Sequence, residues 1–360
     1  MATFSTERLK ELTSYAVQGA GFDKLLDISG YMGIRIEDGM IYLNTTDGTT
    51  YLSVSDECDA DDMDITVDAE LFSKLIGKIN SNTITMSVID NTKLEINGNG
   101  RYTLALQQNE SGDTLSFPDK FPKSASDIGN ITAHDLATIA SSVKASLSGV
   151  KGSDYCNYYF GDIVVGTDKA MMSIFNRAVF KEPCLIDRNV VDIMLASGKD
   201  VTIAKSENNM LIFESSISDK GMISLCTPVK SIGDFKVDAI RKFAELDVKS
   251  FCRFKKAYML DLLDRLSLFV DKFEDGAIEL HFTDSYVDVS SMSSSGIERI
   301  EYTESKDAED ITIKINIDRF RNQLKAYGSD VVDLYYGNQI CIKLVDGDMT
   351  QIIALMLQKQ

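Results

Sequence analysis

A short pattern that occurs three times in the chain sets the size of its repeating unit. The copies begin at Val67, Ile186 and Ile317 with an aliphatic residue followed by Asp. In each copy a segment with helical spacing of apolar residues follows, and then a pair of segments that alternate as strands do. The copies start 119 and 131 residues apart, far more than the 20–50 residues of a solenoid repeat. A unit of about 120 residues is the size of a whole domain.

The repeat predicts three related domains in the 360 residues, at 1–124, 125–246 and 247–360. Prolines, lysines and small residues mark 117–127 as the first linker, and 231–247 is predicted to be the second. Each domain is predicted to contain a helix, strands, a second helix and further strands. Because strands follow strands, the sheets are predicted to be antiparallel and the fold class to be α+β. The predicted helices are 6–18, 68–80, 132–151, 187–199, 253–272 and 316–328.

Charge divides unevenly between these helices and the rest of the chain. The net charge is −18, which argues against a DNA-binding surface unless the basic residues are segregated. The predicted helices together carry +5, so the remaining residues carry −23. A basic set of helices in an acidic shell would let the molecule face a polyanion with its helices alone. The simpler interpretation of this distribution is that amphipathic helices ordinarily carry charges of both signs. The charge count, taken alone, favours this simpler interpretation.

Motifs typical of enzymes are absent from the sequence. There is no phosphate-binding loop and no dinucleotide fingerprint, and 98–100 (Gly-Asn-Gly) has the features of a hairpin turn. The acidic segment 56–64 lacks the spacing and the glycine of a calcium loop, so it is predicted to be a solvated run of charge. His134 and His281 have no partners at zinc spacing. We therefore predict no enzymatic activity, no cofactor and no metal.

The cysteines and the first residues indicate a cellular compartment. Six cysteines lie far apart without a CxxC pair, which is typical of small core residues in a reduced, cytosolic protein. They are Cys58, Cys156, Cys184, Cys226, Cys252 and Cys341. The N-terminal segment carries both charge signs, and no stretch approaches 18 apolar residues. The sequence therefore predicts no signal peptide, no membrane span and a cytoplasmic location.

The pair Tyr158-Tyr159 has two interpretations. Tyrosine is common in strands, and this pair opens a predicted strand. Exposed aromatic rings also stack on the bases of nucleic acids. The local sequence favours the first interpretation.

Five segments occur in the order and spacing of one known family. They are 97–108 (NGNGRYTLALQQ), 117–122 (FPDKFP), 158–165 (YYFGDIVV), 232–235 (IGDF) and 351–357 (QIIALML). Together they resemble the bacterial-type DNA polymerase III sliding clamp, the β subunit. The resemblance covers the whole chain and rests on order and spacing, since none of the segments identifies the family alone. It implies three tandem clamp-type domains, each with two helices packed on antiparallel sheets.

The resemblance also implies a function and a set of partners. In that family two subunits meet head to tail and close a ring around duplex DNA, with helices lining the hole and sheets outside. The ring is a processivity factor without catalytic activity, which tethers a replicative DNA polymerase. The implied partners are duplex DNA of any sequence, a second copy of the chain, the clamp-binding peptide of a polymerase and a clamp loader. The implied location is the cytoplasm, associated with the nucleoid.

Three sets of residues follow from the resemblance. The implied DNA contacts are Lys24, Lys74, Lys78, Lys144, Tyr158, Tyr159, Arg188, Arg319 and Lys325. The implied walls of a partner groove between the second and third domains are Tyr159, Ile174, Ala178, Ile352, Ala354 and Met356. The implied dimer interface pairs the edge strand of Tyr102 with Leu268 and Phe269 of the other subunit.

The sequence departs from the family pattern at 174–179 (IFNRAV), at Gly233 in the linker and at 355–360 (LMLQKQ). All three departures flank the implied groove. They motivate the hypothesis of a divergent clamp, from a phage or mobile element, with altered partner specificity. The alternative is an acidic protein that binds or inhibits other proteins and never encircles DNA.

Overall fold

The structure is a computed structural model that describes residues 2–21, 28–109, 111–118, 121–122, 125–150, 152–233, 235–270, 275–293 and 295–356. The α-helices in these residues are α1 (Thr6–Ala16), α2 (Ala69–Lys78), α3 (Ala133–Thr138), α4 (Arg188–Ser197), α5 (Val237–Ala244), α6 (Lys256–Leu266) and α7 (Ile317–Ala326).

The strands of the first third of the chain are β1 (Ala2–Ser5), β2 (Tyr31–Glu37), β3 (Met40–Thr46), β4 (Tyr51–Glu57), β5 (Met63–Asp68), β6 (Thr83–Ile89), β7 (Lys93–Asn97) and β8 (Arg101–Ala105). Those of the middle are β9 (Ser126–Ile131), β10 (Tyr158–Phe160), β11 (Val164–Thr167), β12 (Met171–Phe175), β13 (Cys184–Ile186), β14 (Val201–Lys205), β15 (Met210–Ser216) and β16 (Met222–Pro228). Those of the last third are β17 (Ser250–Lys255), β18 (Ala277–Phe282), β19 (Tyr286–Ser291), β20 (Ile297–Glu301), β21 (Glu304–Lys306), β22 (Ile311–Asn316), β23 (Val331–Tyr336), β24 (Cys341–Asp346) and β25 (Met349–Ala354). The pairs that these strands form are antiparallel, which confirms the α+β fold class.

The described elements repeat one order, a strand, a helix and three strands, six times along the chain, with α5 and β21 as additions. Each sequence repeat therefore contains three strands after its helix rather than the predicted pair. The third strand arises because the last apolar segment of each copy folds as a hairpin. In the first copy the turn at 98–100 joins β7 to β8, with the Gly98 N–H donating to the Gly100 carbonyl at 3.0 Å.

Side-chain caps show how the repeated helices begin. Asp68 precedes α2 and accepts a hydrogen bond from the Leu71 N–H at 2.7 Å. Asn316 precedes α7 and accepts one from the Arg319 N–H at 2.9 Å. Each cap satisfies a backbone donor that the helix itself leaves unpaired. Asn316 thus occupies the place of Asp68, and the prediction that the third copy begins at Ile317 was wrong by two residues.

The chain forms two compact units, each built from two parts of the sequence. Unit 1 comprises Met1–Ala133 and Asn189–Val229, and unit 2 comprises His134–Arg188 and Lys230–Gln360. Both units contain residues of the predicted middle domain. The division into domains 1–124, 125–246 and 247–360 therefore stays a prediction from the threefold sequence repeat.

Unit 1 contains a four-stranded sheet, β1-β6-β7-β8, and an eight-stranded sheet, β5-β2-β3-β4-β16-β15-β14-β9. In the larger sheet β4 pairs with β16, so strands distant in sequence form one continuous surface. Helices α1 and α2 pack on one face of β2–β5, where Ile34, Leu43 and Val54 are fully buried. The opposite face, termed the outer face, carries half-exposed side chains. The alternation along each strand produces this division.

Unit 2 contains a nine-stranded sheet, β13-β10-β11-β12-β25-β24-β23-β17-β21, and a four-stranded sheet, β20-β19-β18-β22. Here β12 pairs with β25, as β4 pairs with β16 in unit 1. Helices α6 and α7 pack together over a core that contains Leu262 and Phe320. Phe282 and Tyr336 stack in this core with ring centroids 4.0 Å apart.

Three local predictions in unit 2 were wrong. The predicted helix 132–151 is α only over α3, and continues as a π-helical segment (Ile139–Val143) and a 3₁₀ turn (Lys144–Ser146). Hydroxyls that bond back to earlier carbonyls, such as Thr138 to His134 at 3.0 Å, compete with regular helical bonding. Segment 177–180 (RAVF), which the sequence also predicts to be a strand, forms none. The predicted linker 231–247 contains α5.

The acidic segment is less solvated than predicted at its first residue. Asp56 is the last residue but one of β4 and is 8% exposed. Its carboxylate accepts hydrogen bonds from the Arg8 guanidinium and, at 2.9 Å, from the Ser218 hydroxyl. Burial by itself raises the pKa of Asp56, but the hydrogen bonds from Arg8 and Ser218 outweigh it and hold the pKa below its usual range.

We expect Asp56→Asn to lower the stability of unit 1 at pH 7 by about 1–3 kcal/mol, because a charge-assisted hydrogen bond is lost. The folded carboxyl has a depressed pKa, so its contribution is present above the unfolded pKa of about 3.9 and disappears as pH falls through the folded pKa. Urea unfolding from pH 7 to pH 2.5 of wild type and variant should therefore converge at the acid end. Glu57→Gln is the control, since Glu57 and its partner Lys220 are both 61% exposed. A difference that persists unchanged at low pH would contradict the assignment.

Candidate functional site

The predicted DNA contacts that carry charge lie on or beside helices, except Lys24, which lies outside the described residues. Lys74 and Lys78 are exposed on α2, and Arg188 is the exposed first residue of α4. Arg319 (partly exposed) and Lys325 (exposed) lie on α7, and Lys144 is partly exposed in the 3₁₀ turn that follows α3.

Most of these cations are not neutralised by a neighbour. Lys74 forms an ion pair with Glu70, four residues earlier on α2. Within the described residues the side chains of Lys78, Arg188, Arg319 and Lys325 have no ion pair. The repeated helices, with the turns after α3, carry 11 Lys and Arg and 8 Asp and Glu, a balance of +3 in a chain of −18. The sequence predicted a balance of +5 for the helices. The balance found with the helices of the structure is smaller but also positive.

The tyrosine pair cannot act as predicted at a DNA surface. Tyr158 is fully buried and Tyr159 is 4% exposed. The strand that carries them, β10, lies between β13 and β11 in the nine-stranded sheet and is buried on both faces. A buried ring cannot stack on a base or reach a phosphate, so Tyr158 and Tyr159 are removed from the set of DNA contacts. Burial also raises the pKa of the Tyr159 phenol.

Part of the predicted partner groove forms one apolar cluster on the outer face of the unit 2 sheet, and this set is termed the outer cluster. Its members are Tyr159, Val165, Met172, Ile174, Leu185, Phe235, Ile240, Cys341 and Ile352. Tyr159, Ile174 and Ile352, three of the predicted groove residues, therefore lie in one cluster. Ala178 is exposed, Ala354 and Met356 are partly exposed, and none of these three belongs to the cluster.

Helix α5 and the residues before it cover the outer cluster. The ring of Phe235 stacks on Tyr159 with centroids 5.7 Å apart and an interplanar angle of 11°. Ile240 of α5 is 6% exposed in the same cluster. The cover is also fixed by polar contacts, since Arg241 donates to both carboxylate oxygens of Asp162 at 2.5 and 2.6 Å. Lys343 donates to the carbonyls of 244 and 246 at 2.7 and 2.5 Å.

Sequence reasoning missed this cover because the segment was assigned to a linker. The available signal was the helical spacing of Phe235, Val237, Ile240 and Phe243. A peptide that binds here meets a closed cluster. It can contact the partly exposed rim at Ala354 and Met356, or displace α5 to reach Tyr159.

Each of the four sheets ends in two edge strands. Among them β8 in unit 1 and β20 in unit 2 each end a four-stranded sheet. An edge strand presents free backbone N–H and C=O groups and can pair with another chain. Exposed apolar side chains accompany both edges. Tyr102 is 37% exposed on β8, and Ile297 is 61% exposed on β20.

Further exposed apolar residues mark where these edges could be covered. Leu268 and Phe269, predicted at the dimer interface, are 81% and 51% exposed in the 3₁₀ turn after α6. The ring of Phe269 approaches Gly296, directly before β20. Leu71 on α2 is 53% exposed and was not predicted. Its signal was an apolar residue on the polar side of an amphipathic helix.

Within the described part of the chain, no helix is long and apolar enough to cross a membrane. No group of three or more possible metal ligands occurs among the same residues.

The architecture is that of DNA sliding clamps, and in particular that of the bacterial DNA polymerase III β subunit. The β chain of DNA polymerase III from Streptococcus pneumoniae TIGR4 is similar with a TM-score of 0.84 and 16% identity, covering 99% of this chain and 100% of that chain. The β subunit from DNA polymerase of Streptococcus pyogenes gives a TM-score of 0.85 at 14% identity, and the DNA polymerase sliding clamp from Bacillus subtilis gives 0.80 at 13%. Both cover 99% of each chain.

No protein-family model and no curated protein matches the chain. The similarity is therefore one of fold, over the whole length and at low sequence identity. It confirms the resemblance proposed from the sequence and makes the chain a divergent example of the fold.

Proposed function

We propose that the protein is a DNA sliding clamp, a non-enzymatic processivity factor whose homodimer encircles duplex DNA. The observation that carries this proposal is the full-length match to clamps from three bacteria with TM-scores of 0.80 to 0.85. The sixfold strand–helix–three-strand order supports it, because it supplies two helices and two sheets to each predicted domain.

The proposed DNA surface consists of helix cations. Lys78, Arg188, Arg319 and Lys325 have no ion pair in the part of the chain that the structure describes, and Lys74 and Lys144 add to this surface. Lysine and arginine at phosphates bind without regard to sequence and with strong salt dependence. Lys24 remains a proposed contact. The acidic remainder of the molecule would repel DNA from every other surface.

The proposed ring closes by pairing β8 of one copy with β20 of the other. Tyr102 and Leu71 would meet Leu268, Phe269 and Ile297 of the second copy. Such a contact joins two different surfaces, so a closed dimer contains it twice. The pairing would remove both exposed edges and extend each four-stranded sheet.

The proposed protein partners are a polymerase, through its clamp-binding peptide, and a clamp loader. The rim of the outer cluster, at Ala354 and Met356, is the proposed peptide contact, with Tyr159, Ile174 and Ile352 behind α5. The role of such a peptide is to raise the effective concentration of a polymerase at DNA. The protein would act in the cytoplasm at the nucleoid.

The decisive experiment compares circular with linear DNA. We expect native mass spectrometry to give a dimer, and the protein to stay with a nicked circular plasmid through gel filtration. Cutting the plasmid should release it, because a ring slides off a free end. A monomer that binds circular and linear DNA alike, or a protein that binds neither, would instead support the acidic interaction protein.

A further inference from the structure

The outer face of unit 1 holds a cavity of about 550 Å³ that the clamp function does not use. It lies across the junction of β4 and β16, and residues of five strands line it. The lining on these strands is Arg35, Glu37, Tyr42, Asn44, Thr45, Tyr51, Leu52, Ser53, Ser55, Glu214, Met222 and Ser224.

The strand register makes this cavity a trough across the strands. Asn44 lies opposite Ser53, and Ser53 lies opposite Ser224, so a row of short polar side chains forms the floor. The neighbouring rows carry larger groups, with Tyr42 and Met222 on one side and Tyr51 on the other. Five strands at a spacing of about 4.8 Å give a trough about 19 Å long, the length of about six extended residues.

One end of the trough is closed by the segment after β8. Phe117 is 4% exposed and packs over Gly33, where a Cβ would lie 2.3 Å from the Cβ of Phe117. Only glycine fits under this ring. Pro118 and Phe121 continue the wall. The other end opens at Glu214, which is exposed.

The equivalent place in unit 2 is filled by the chain itself. The β12–β25 junction repeats the β4–β16 junction in the order of elements. There Phe235 and α5 cover the outer face and bury Ile174 and Ile352 to 2% and 1% exposure. In unit 1 the floor residues stay partly exposed, and the side chains of Asn44, Ser53 and Ser224 have no hydrogen-bond partner among the described residues.

The charges around the trough favour a basic occupant. Arg35 lies 3.9 Å from Asp64, and Lys220 pairs with Glu57 at 2.8 Å, so both cations are already engaged. Glu37 and Glu214, at opposite sides of the cavity, have no ion pair among the described residues. Uncompensated carboxylates repel phosphate and attract lysine or arginine.

We propose that this trough is a second docking site, which takes an extended, basic segment of a partner protein with an apolar anchor. The anchor would lie between Tyr42, Met222 and Tyr51, while Asn44, Ser53 and Ser224 bond to the peptide backbone. Basic side chains on either side would reach Glu37 and Glu214. The site does not depend on ring closure, so it can be tested apart from the clamp function.

The test uses two labelled synthetic peptides with a central Phe-Leu, one flanked by lysines and the other by glutamates. Fluorescence anisotropy with the full chain should show that the lysine peptide binds at least about tenfold more tightly. Ser224→Trp, which fills the trough, should weaken this binding at least about tenfold, whereas Thr83→Trp, exposed on β6 in the other sheet of unit 1, should not. The double variant Glu37→Lys with Glu214→Lys should weaken the lysine peptide and favour the glutamate peptide. Glu207→Lys, in an exposed turn, is its single-charge control.

Several results would overturn the proposal. One is that neither peptide binds detectably. Another is that wild type and both trough variants bind equally well. A third is that Ala178→Trp, at the predicted groove, loses the binding while the trough variants keep it. A change of oligomeric mass in Ser224→Trp would assign this face to contacts between copies of the chain, and would also overturn it.

Discussion

Replacing both Leu268 and Phe269 with Asp is expected to convert the dimer into a monomer. The two side chains are 81% and 51% exposed in the single chain, so the change should leave its fold intact. In the proposed ring they are buried against β8 of the second copy. Each buried apolar side chain contributes about 1.5–3 kcal/mol, and an unpaired charge in its place costs more. The dissociation constant should therefore rise at least about a hundredfold.

Sedimentation velocity over a range of concentrations measures this effect. The matched control is Val150→Asp with Ile340→Asp, because these side chains are 68% and 46% exposed and belong to neither β8 nor β20. It adds the same charge and removes similar apolar area. An equal loss of dimer in the control would show that net charge, rather than the interface, controls assembly.

Mixing two variants tests whether the contact joins different surfaces. Tyr102→Asp damages the β8 side only, and the Leu268–Phe269 variant damages the other side only. A dimer that contains one copy of each variant has wild-type side chains at one interface. The substitutions of both variants meet at its second interface. We expect a dimer by mass that fails to stay on circular DNA. If mixing restores no dimer, β8 and the turn after α6 are not partners.

The local elements could be predicted from the sequence because their determinants are local. The hairpin between β2 and β3 has Asp38 and Gly39 with φ of 52° and 74°, as an Asp-Gly turn requires. The Asp47 carboxylate accepts from the N–H groups of Thr49 and Thr50 in the next turn. The helix predicted at 68–80 begins after Asp68, whose side chain caps α2. These patterns were sufficient for the fold class and for the resemblance.

The burial of site residues could not be predicted, because it depends on long-range pairing. In β4–β16, Leu52 lies opposite Leu225, and no local pattern selects that partner. Pairing with β13 on one side and β11 on the other makes β10 an interior strand, so that Tyr158 and Tyr159 are buried rather than exposed to DNA. Ala178 fell outside the outer cluster because 177–180 is not a strand.

The charged part of the site was more predictable than its aromatic part. A lysine or arginine on the polar side of an amphipathic helix remains exposed almost wherever the helix packs, as Lys78 and Lys325 do. Whether such a cation is neutralised depends on the carboxylates that lie beside it. Glu70, one turn before Lys74, could be recognised from its spacing, whereas the Arg321 contact with Asp264 at 3.1 Å joins two helices and could not.

Reversing the charge of Lys78, Arg188, Arg319 and Lys325 together is expected to abolish DNA binding near physiological salt. These residues are chosen because their charges have no ion pair among the described residues. Each cation that neutralises a phosphate contributes about 0.9 to the slope of log K against log salt, so the slope should flatten by about 3.6. Affinity near 0.1 M salt should fall at least about a hundredfold. The measurement uses a short labelled duplex with free ends, because a ring can then enter and leave the DNA and binding reaches equilibrium.

The control for net charge reverses Lys93, Lys169, Lys199 and Lys242, which are exposed on strands, in turns and on α5. Both variants carry the same total charge, so long-range repulsion of DNA is equal in the two. If the helix cations contact phosphates, only the helix variant loses the salt dependence. If both lose affinity equally, DNA responds to the overall field of an acidic protein, and the helices are no special surface. The comparison therefore decides whether the small positive balance of the helices is a binding site or only the ordinary mixed charge of amphipathic helices.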